Sequence, residues 1–212
     1  MNKLILTVFV ALLPLAIFAQ GLNLNGYAAY VFDDKFDTYY SSNAYVEGKI
    51  QGGLMWGVGL EYKLQEDYGI ELLYLRQDTQ APIYFYGLGV NNKVIDLAVN
   101  YVMVGGVRYI TVLSDKVEPY GGLMLGMAIY DNKSPDPGDP TSATKFAWGA
   151  RLGTNIWFSE RAGLKLQAYL VSAVQGAGGG FYFGTGGAGA GVSTYSTLYQ
   201  FGLGGGLVFK LK

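Results

Sequence analysis

The chain has no cysteine and no histidine in its 212 residues. Without Cys there is no disulfide framework and no thiolate nucleophile, and without either residue no Cys/His zinc site. The missing His also removes the commonest general base near neutral pH. Charge is scarce as well: Asp, Glu, Lys and Arg make up 15% of the chain, against about 25% in soluble domains. A formal net charge of −1 leaves no general basic footprint for nucleic acid. Beyond the N-terminal segment no apolar run approaches the roughly 20 residues that a spanning helix needs.

What the chain has instead is glycine, 32 residues of it, and an aromatic fraction of 15% in which Tyr, at 18, predominates. Tyr collects where rings sit between lipid and water. With half of all residues hydrophobic, the combination points to strands crossing a bilayer rather than to a globular enzyme. At the N-terminus, Lys3 precedes an apolar run over 4–18, broken by Pro14 and followed by the small residue Ala19. That run is short for a spanning helix. A charged start, an apolar middle and a small residue at the cut form the pattern of a secretory signal. The expectation is a signal peptide over 1–19 and one barrel domain over 20–212.

The alternation is clearest in residues 195–212. One register carries Tyr199, Phe201, Leu203, Leu207 and Phe209; the other carries Gln200, Gly202, Gly204 and Gly206. A period of two means a strand with two unlike faces, and this one is far longer than the usual five or six residues or so. Seven more stretches alternate ahead of it, near 22–32, 50–64, 68–77, 95–109, 118–129, 146–158 and 164–170. In the fourth of these the apolar register, Ile95, Leu97, Val99, Tyr101, Met103, Val107 and Tyr109, is expected outward, with Asp96, Asn100 and Arg108 inward. Long polar or Gly/Pro-rich connections fall at 33–48, 78–93, 131–144 and 175–193, and short ones at 65–67, 114–116 and 159–161. Bacterial outer-membrane barrels alternate long and short connections in this way. The predicted fold is all-β: an eight-stranded antiparallel up-and-down transmembrane barrel with short periplasmic turns and long extracellular loops.

A soluble barrel of lipocalin type would turn the apolar face inward around a ligand. Its solvated face would then carry Gly53, Gly57, Gly59, Gly149, Gly153, Gly202, Gly204 and Gly206, and Gly weakens an exposed strand. In a narrow interior the same glycines make room for larger side chains opposite. The run Pro119-Tyr120-Gly121-Gly122 and the ending Gly204-Gly205-Gly206-Leu207-Val208-Phe209 resemble recurrent strands of the small outer-membrane β-barrels, the group of OmpX and the membrane domain of OmpA. The leader ending Phe18-Ala19-Gln20 is similar to signals common in Bacteroidetes. The resemblance implies export to the bacterial outer membrane, with the barrel assembly machinery and periplasmic chaperones as partners in biogenesis. It also implies outer-membrane lipid and lipopolysaccharide around a monomer.

Inward charges gather toward the periplasmic half: Glu61, Glu71, Arg108, Glu118 and Lys165, with Arg151 higher up. A lone charge in a barrel core is costly, so opposite signs are expected to pair as a structural network. An ion or proton path is the functional alternative, though about eight strands leave an interior that side chains fill. The lipid-modifying, protease and phospholipase barrels that share this architecture rely on an active-site His, which this chain lacks. No catalytic, cofactor-binding or metal-ligating residue is therefore assigned, and no cofactor is expected. The stretch 184–189 matches G-x-G-x-x-G, but a strand follows where a dinucleotide fold needs a helix. Two aromatic triplets, Tyr84-Phe85-Tyr86 and Phe181-Tyr182-Phe183, extend strands above the membrane, or line an apolar mouth as in OmpW-type channels for small hydrophobic solutes. The expected function is a non-enzymatic barrel with a plugged lumen, serving envelope integrity or surface interaction, with that narrow channel as the alternative.

Overall fold

The computed structural model describes residues 21–41, 44–86, 92–112, 114, 116–135, 141–174, 180–184, 187–191 and 198–211. Side chains are placed for all of these except 35–41, 44–46, 85–86, 174, 180–184, 187–191 and 198. The expected signal peptide over 1–19 lies outside the described residues. Within them the chain forms strands and connections, with no helix. In order these are β1 (Leu22–Val31), β2 (Asp34–Ser41), β3 (Ala44–Ile50), β4 (Gly53–Lys63), β5 (Tyr68–Tyr86) and β6 (Lys93–Tyr109). There follow β7 (Val117–Asn132), β8 (Ser142–Trp157), β9 (Ala162–Val174), β10 (Gly180–Gly184), β11 (Gly187–Gly191) and β12 (Leu198–Lys210).

Eight of them close a barrel. Antiparallel ladders run in the order β1, β4, β5, β6, β7, β8, β9, β12, and β12 pairs back onto β1. Cross-strand partners fix its geometry. From Leu22 the partners pass through Tyr62, Ile70, Gly106, Leu123, Ala150, Leu170 and Phe201. The amide of Phe32 then donates to the carbonyl of Phe201 at 2.9 Å, so one circuit returns to the chain ten residues beyond its start. For eight strands that stagger means a tilt of about 40° and a backbone radius of about 8 Å. Such an interior has room for side chains and little else.

The outward face is apolar. Leu123 and Leu152 are each 70% exposed, and Leu54, Leu72, Val104 and Leu203 lie exposed with them. Tyr62, Tyr68, Phe158 and Phe209 edge this belt at the short-turn end. Toward the other end stand Tyr30, Phe32, Trp56, Phe146 and Phe201, exposed, and the half-buried Tyr74; Phe32 stacks on Phe201, and Trp56 meets Tyr74 edge-on. An exposed apolar belt between aromatic rows, around an interior that holds the charges, is the arrangement of a barrel in lipid. The lipocalin-type alternative inverts it.

β6 is turned the other way from the expectation. Tyr101, Met103, Val107 and Tyr109 are buried in the lumen, while Val102 and Val104 face outward. Ladder partners share a face, and Arg108 stands opposite Tyr68 on β5 and Gly121 on β7, both on outward registers. Arg108 is therefore an exposed residue of the outer surface. The upper lumen is itself apolar, so hydrophobicity alone does not choose the face of this strand.

Three of the expected long loops also contain strands. β2 and β3 form a hairpin that begins inside 33–48 and runs on to Ile50, and β3 pairs onto β5, which runs on to Tyr86 instead of ending near Gln77. Ile50 closes β3 and is buried rather than opening the next outward register. β10 and β11 pair within 175–193. Polar composition there marks contact with water, not an absence of pairing.

Candidate functional site in the barrel interior

The inward registers of β1, β4, β5, β6, β7, β8 and β9 meet in the short-turn half of the lumen. Glu61 and Glu71 are direct partners on β4 and β5, and both are fully buried. Two like charges side by side persist in such a place only if donors surround them. Tyr109 Oη donates to Glu61 Oε1 at 2.5 Å. Asn25 Nδ2 bridges the two, to Glu61 Oε2 at 3.2 Å and Glu71 Oε1 at 2.7 Å. Tyr27 Oη adds a bond of 2.6 Å to Glu71 Oε1. From the far wall Arg151 of β8 brings Nη1 to 2.5 Å from Glu71 Oε2 and donates to Tyr27 Oη at 3.3 Å.

Two glycines make the space. A Cβ on Gly59 would collide with the Glu71 carboxylate, and one on Gly69 would come within 2.9 Å of Glu61 Oε1. Each carboxylate thus lies across the glycine of the neighbouring strand, which is why this half of the barrel needs bare backbone.

Lys165 of β9 is buried and makes no ion pair with the described residues. Its Nζ sits 4.4 Å from the Tyr120 ring centre and 5.9 Å from that of Tyr27, a seat in which ring quadrupoles replace part of its hydration. Nearer the rim, Lys63 Nζ lies 2.6 Å from Glu118 Oε1 and 4.0 Å over the Tyr109 ring. Asn155 Nδ2 donates to Glu118 Oε2 at 3.0 Å. Three carboxylates (Glu61, Glu71, Glu118) thus face three cations (Lys63, Arg151, Lys165), and Glu71 Oε2 is met by the Arg151 ion pair without a hydrogen bond of good geometry.

Above this level the lumen is filled by Met55, Leu73, Leu75, Met103, Met124, Tyr169 and Val171, all nearly inaccessible. A polar chain crosses it: Tyr101 Oη donates to Gln200 Oε1 at 2.6 Å, and Gln200 Nε2 donates to Gln77 Oε1 at 3.0 Å. Gln77 Nε2 in turn donates to the Gln51 carbonyl at 3.2 Å. Several buried polar atoms of the short-turn half, Asn25 Oδ1, Arg151 Nε and Asn155 Oδ1 among them, have no hydrogen-bond partner among the described residues, and no three acidic side chains there converge as a metal site would require.

Of the residues expected in the lumen, the structure brings Glu61, Glu71, Arg151 and Lys165 together and puts Glu118 at the rim. Arg108 is the exception, on the opposite face of the sheet. Asn25, Tyr27, Lys63, Tyr109, Tyr120 and Asn155 complete the cluster and were not singled out from sequence. Alternation faces Tyr120 and Asn155 inward and sets Asn25, Tyr27 and Lys63 on the register opposite the apolar one; a polar residue on that register is the signal that marks them. Tyr84 is exposed on β5 beyond the barrel wall, paired with Glu47 of β3. The side chains of Phe85, Tyr86, Phe181, Tyr182 and Phe183 lie outside the described set; their backbones belong to two separate sheets. At the long-connection end Asp33 pairs with Lys49, and Asp131 accepts from Asn100.

No protein-family model matches the sequence, and no curated protein does. Solved structures do resemble it. Neisserial surface protein A shares 15% identity over 90% of this chain and 97% of its own, with a TM-score of 0.55. The outer membrane protein OprG from Pseudomonas aeruginosa shares 14% over 89% and 94%, with a TM-score of 0.57. At such identities the likeness is one of fold: the chain is built as a small outer-membrane β-barrel.

Proposed function

We propose that this chain is an integral protein of the bacterial outer membrane whose lumen is plugged by its own side chains. It has no catalytic role and serves envelope integrity or surface interaction through its long connections. The observation that carries this reading is the charge-balanced cluster around Glu71 and Arg151, capped by apolar side chains that are nearly inaccessible. An ion crossing the barrel would have to break those pairs inside a low-dielectric interior, where each unpaired charge costs several kcal/mol. Export through the leader over 1–19 and insertion by the barrel assembly machinery, with periplasmic chaperones, belong to the same reading. So do a monomeric state and a surround of lipid and lipopolysaccharide. That one structural neighbour is by name a surface protein accords with function residing in the exposed connections.

Single-channel recording in planar bilayers tests the plug. Silence across the voltage range is expected, and a steady conductance from the native chain would overturn it. The apolar upper lumen, walled by Met55, Met103 and Met124, favours a second reading, a narrow path for small hydrophobic solutes. Uptake of a hydrophobic dye into proteoliposomes, faster than into empty vesicles, would be its signature.

A further inference from the structure

Arg108 is the only charged side chain on the outward registers in the short-turn half of the barrel, among the described residues. Its guanidinium lies 5.3 Å from the ring centre of Tyr68, the direct cross-strand partner on β5. It makes no ion pair with the described residues. The contrast with the other end is plain: Arg76, also outward, is held by both oxygens of Asp78 at 2.6 and 3.0 Å. Beside Arg108 the belt is indented. Gly106 lies two residues along β6, and a Cβ there would meet nothing within 4 Å; Gly121 is the partner of Arg108 on β7, and a Cβ there would lie 3.1 Å from Leu152 Cδ2. Ile70, Val104, Leu123 and Leu152 stand around this notch, all exposed.

A guanidinium at the edge of an apolar belt, with no ion pair among the described residues, calls for a partner of opposite charge that can sit between hydrocarbon and water. A phosphate diester meets that requirement, because its two free oxygens match the planar fork of Arg. The Tyr68 ring limits the freedom of the guanidinium before any ligand arrives. The indentation continues from Arg108 toward the middle of the belt, the course that an acyl chain takes below its headgroup.

We propose that Arg108 and Tyr68 bind the phosphate of a phospholipid in the leaflet at the short-turn end, with one acyl chain over Gly106, against Leu152. The site rests on the barrel spanning a bilayer, which protease protection of the refolded chain in vesicles reports separately. A chain that inserts normally and has no lipid preference refutes the site alone.

The test is native mass spectrometry of the barrel in octyl glucoside, a detergent without phosphate, titrated with dioleoylphosphatidylglycerol and with dioleoylglycerol. The native chain should bind the phospholipid more tightly than the diacylglycerol, and Arg108→Gln should lose about five- to tenfold of that preference. Arg161→Gln, at an exposed turn, should change nothing. Gly106→Leu, which fills the notch and keeps the charge, should weaken phosphatidylglycerol binding while leaving the fold intact. Native-like affinity in Arg108→Gln overturns the proposal, and unchanged affinity in Gly106→Leu overturns the acyl seat. Displacement of the lipid by equimolar inorganic phosphate would make this a free-anion site and overturn the lipid assignment.

Discussion

Glu71 collects Tyr27 and Asn25 on one oxygen and Arg151 on the other, so removing any one of them leaves a buried carboxylate short of a donor. Arg151 matters most because it supplies the opposite charge. Arg151→Met should cost about 3–5 kcal/mol, and adding Glu71→Met should recover much of the loss, because a pair replaced together leaves no charge stranded. The urea midpoint of the refolded barrel reads both. Coupling below about 0.5 kcal/mol would be simple additivity and would deny the pair. The same cycle on Glu71 and Arg108 should be additive, since those residues lie on opposite faces of the sheet. Tyr109→Phe is the milder case. It removes the one donor to Glu61 Oε1 and should cost about 1–3 kcal/mol, the range for an unsatisfied buried acceptor. A neutral result would mean that Glu61 is held otherwise.

A strand in a barrel carries two readable signals, its period and its connections, and a third that is not local, namely which face looks in. Period and connection length sufficed for seven of the eight wall strands because their inward registers hold Gly and polar residues: Gly57 and Glu61, Gly153 and Asn155, Gly202 and Gln200. β6 offers Tyr101, Met103 and Tyr109 on one register and Val102, Val104 and Gly106 on the other, and both would satisfy lipid. Its face is decided by neighbours, through Met124 and Leu73 in the lumen and Tyr68 outside. The interior charges were legible for a similar reason: Glu61, Glu71, Arg151 and Lys165 are polar on inward registers. Their pairing was not. Arg151 reaches Glu71 because the ten-residue stagger sets β8 across the lumen from β5, and no window of sequence contains that number. The face of β6 is tested directly by cysteines at Met103 and Val104. A nitroxide attached at Val104→Cys before refolding should be relaxed strongly by oxygen and weakly by a water-soluble nickel chelate, as lipid-facing sites are, and one at Met103→Cys weakly by both; the opposite order would restore the orientation expected from sequence. Leu123→Arg, on the neighbouring strand and 70% exposed, should cost about 2–4 kcal/mol, as a cation near the middle of the lipid belt does.

For the whole barrel the two ends are not equivalent, and the difference decides how it sits. At one end the wall strands are joined by the short connections 64–67, 110–116 and 158–161; at the other, β5 rises to Tyr86 and carries the β2–β3 hairpin on its edge. Threading the bulky end through a bilayer means desolvating paired strands with charged edges, whereas the short turns expose few polar groups. The proposed orientation, with the long connections outside, therefore requires assembly machinery to carry the costly end across, and that single crossing fixes the orientation for all eight strands. Two exposed positions, Lys133 beyond β7 and Glu66 between β4 and β5, report it without touching the lumen or the belt. With either residue changed to Cys in a chain that has none of its own, both should react with an impermeant maleimide in broken cells. On intact cells Lys133→Cys should react and Glu66→Cys should not. Labelling of Glu66→Cys alone would invert the barrel, move Arg108 to the outer leaflet, and replace the phospholipid there with lipopolysaccharide as the anion within its reach.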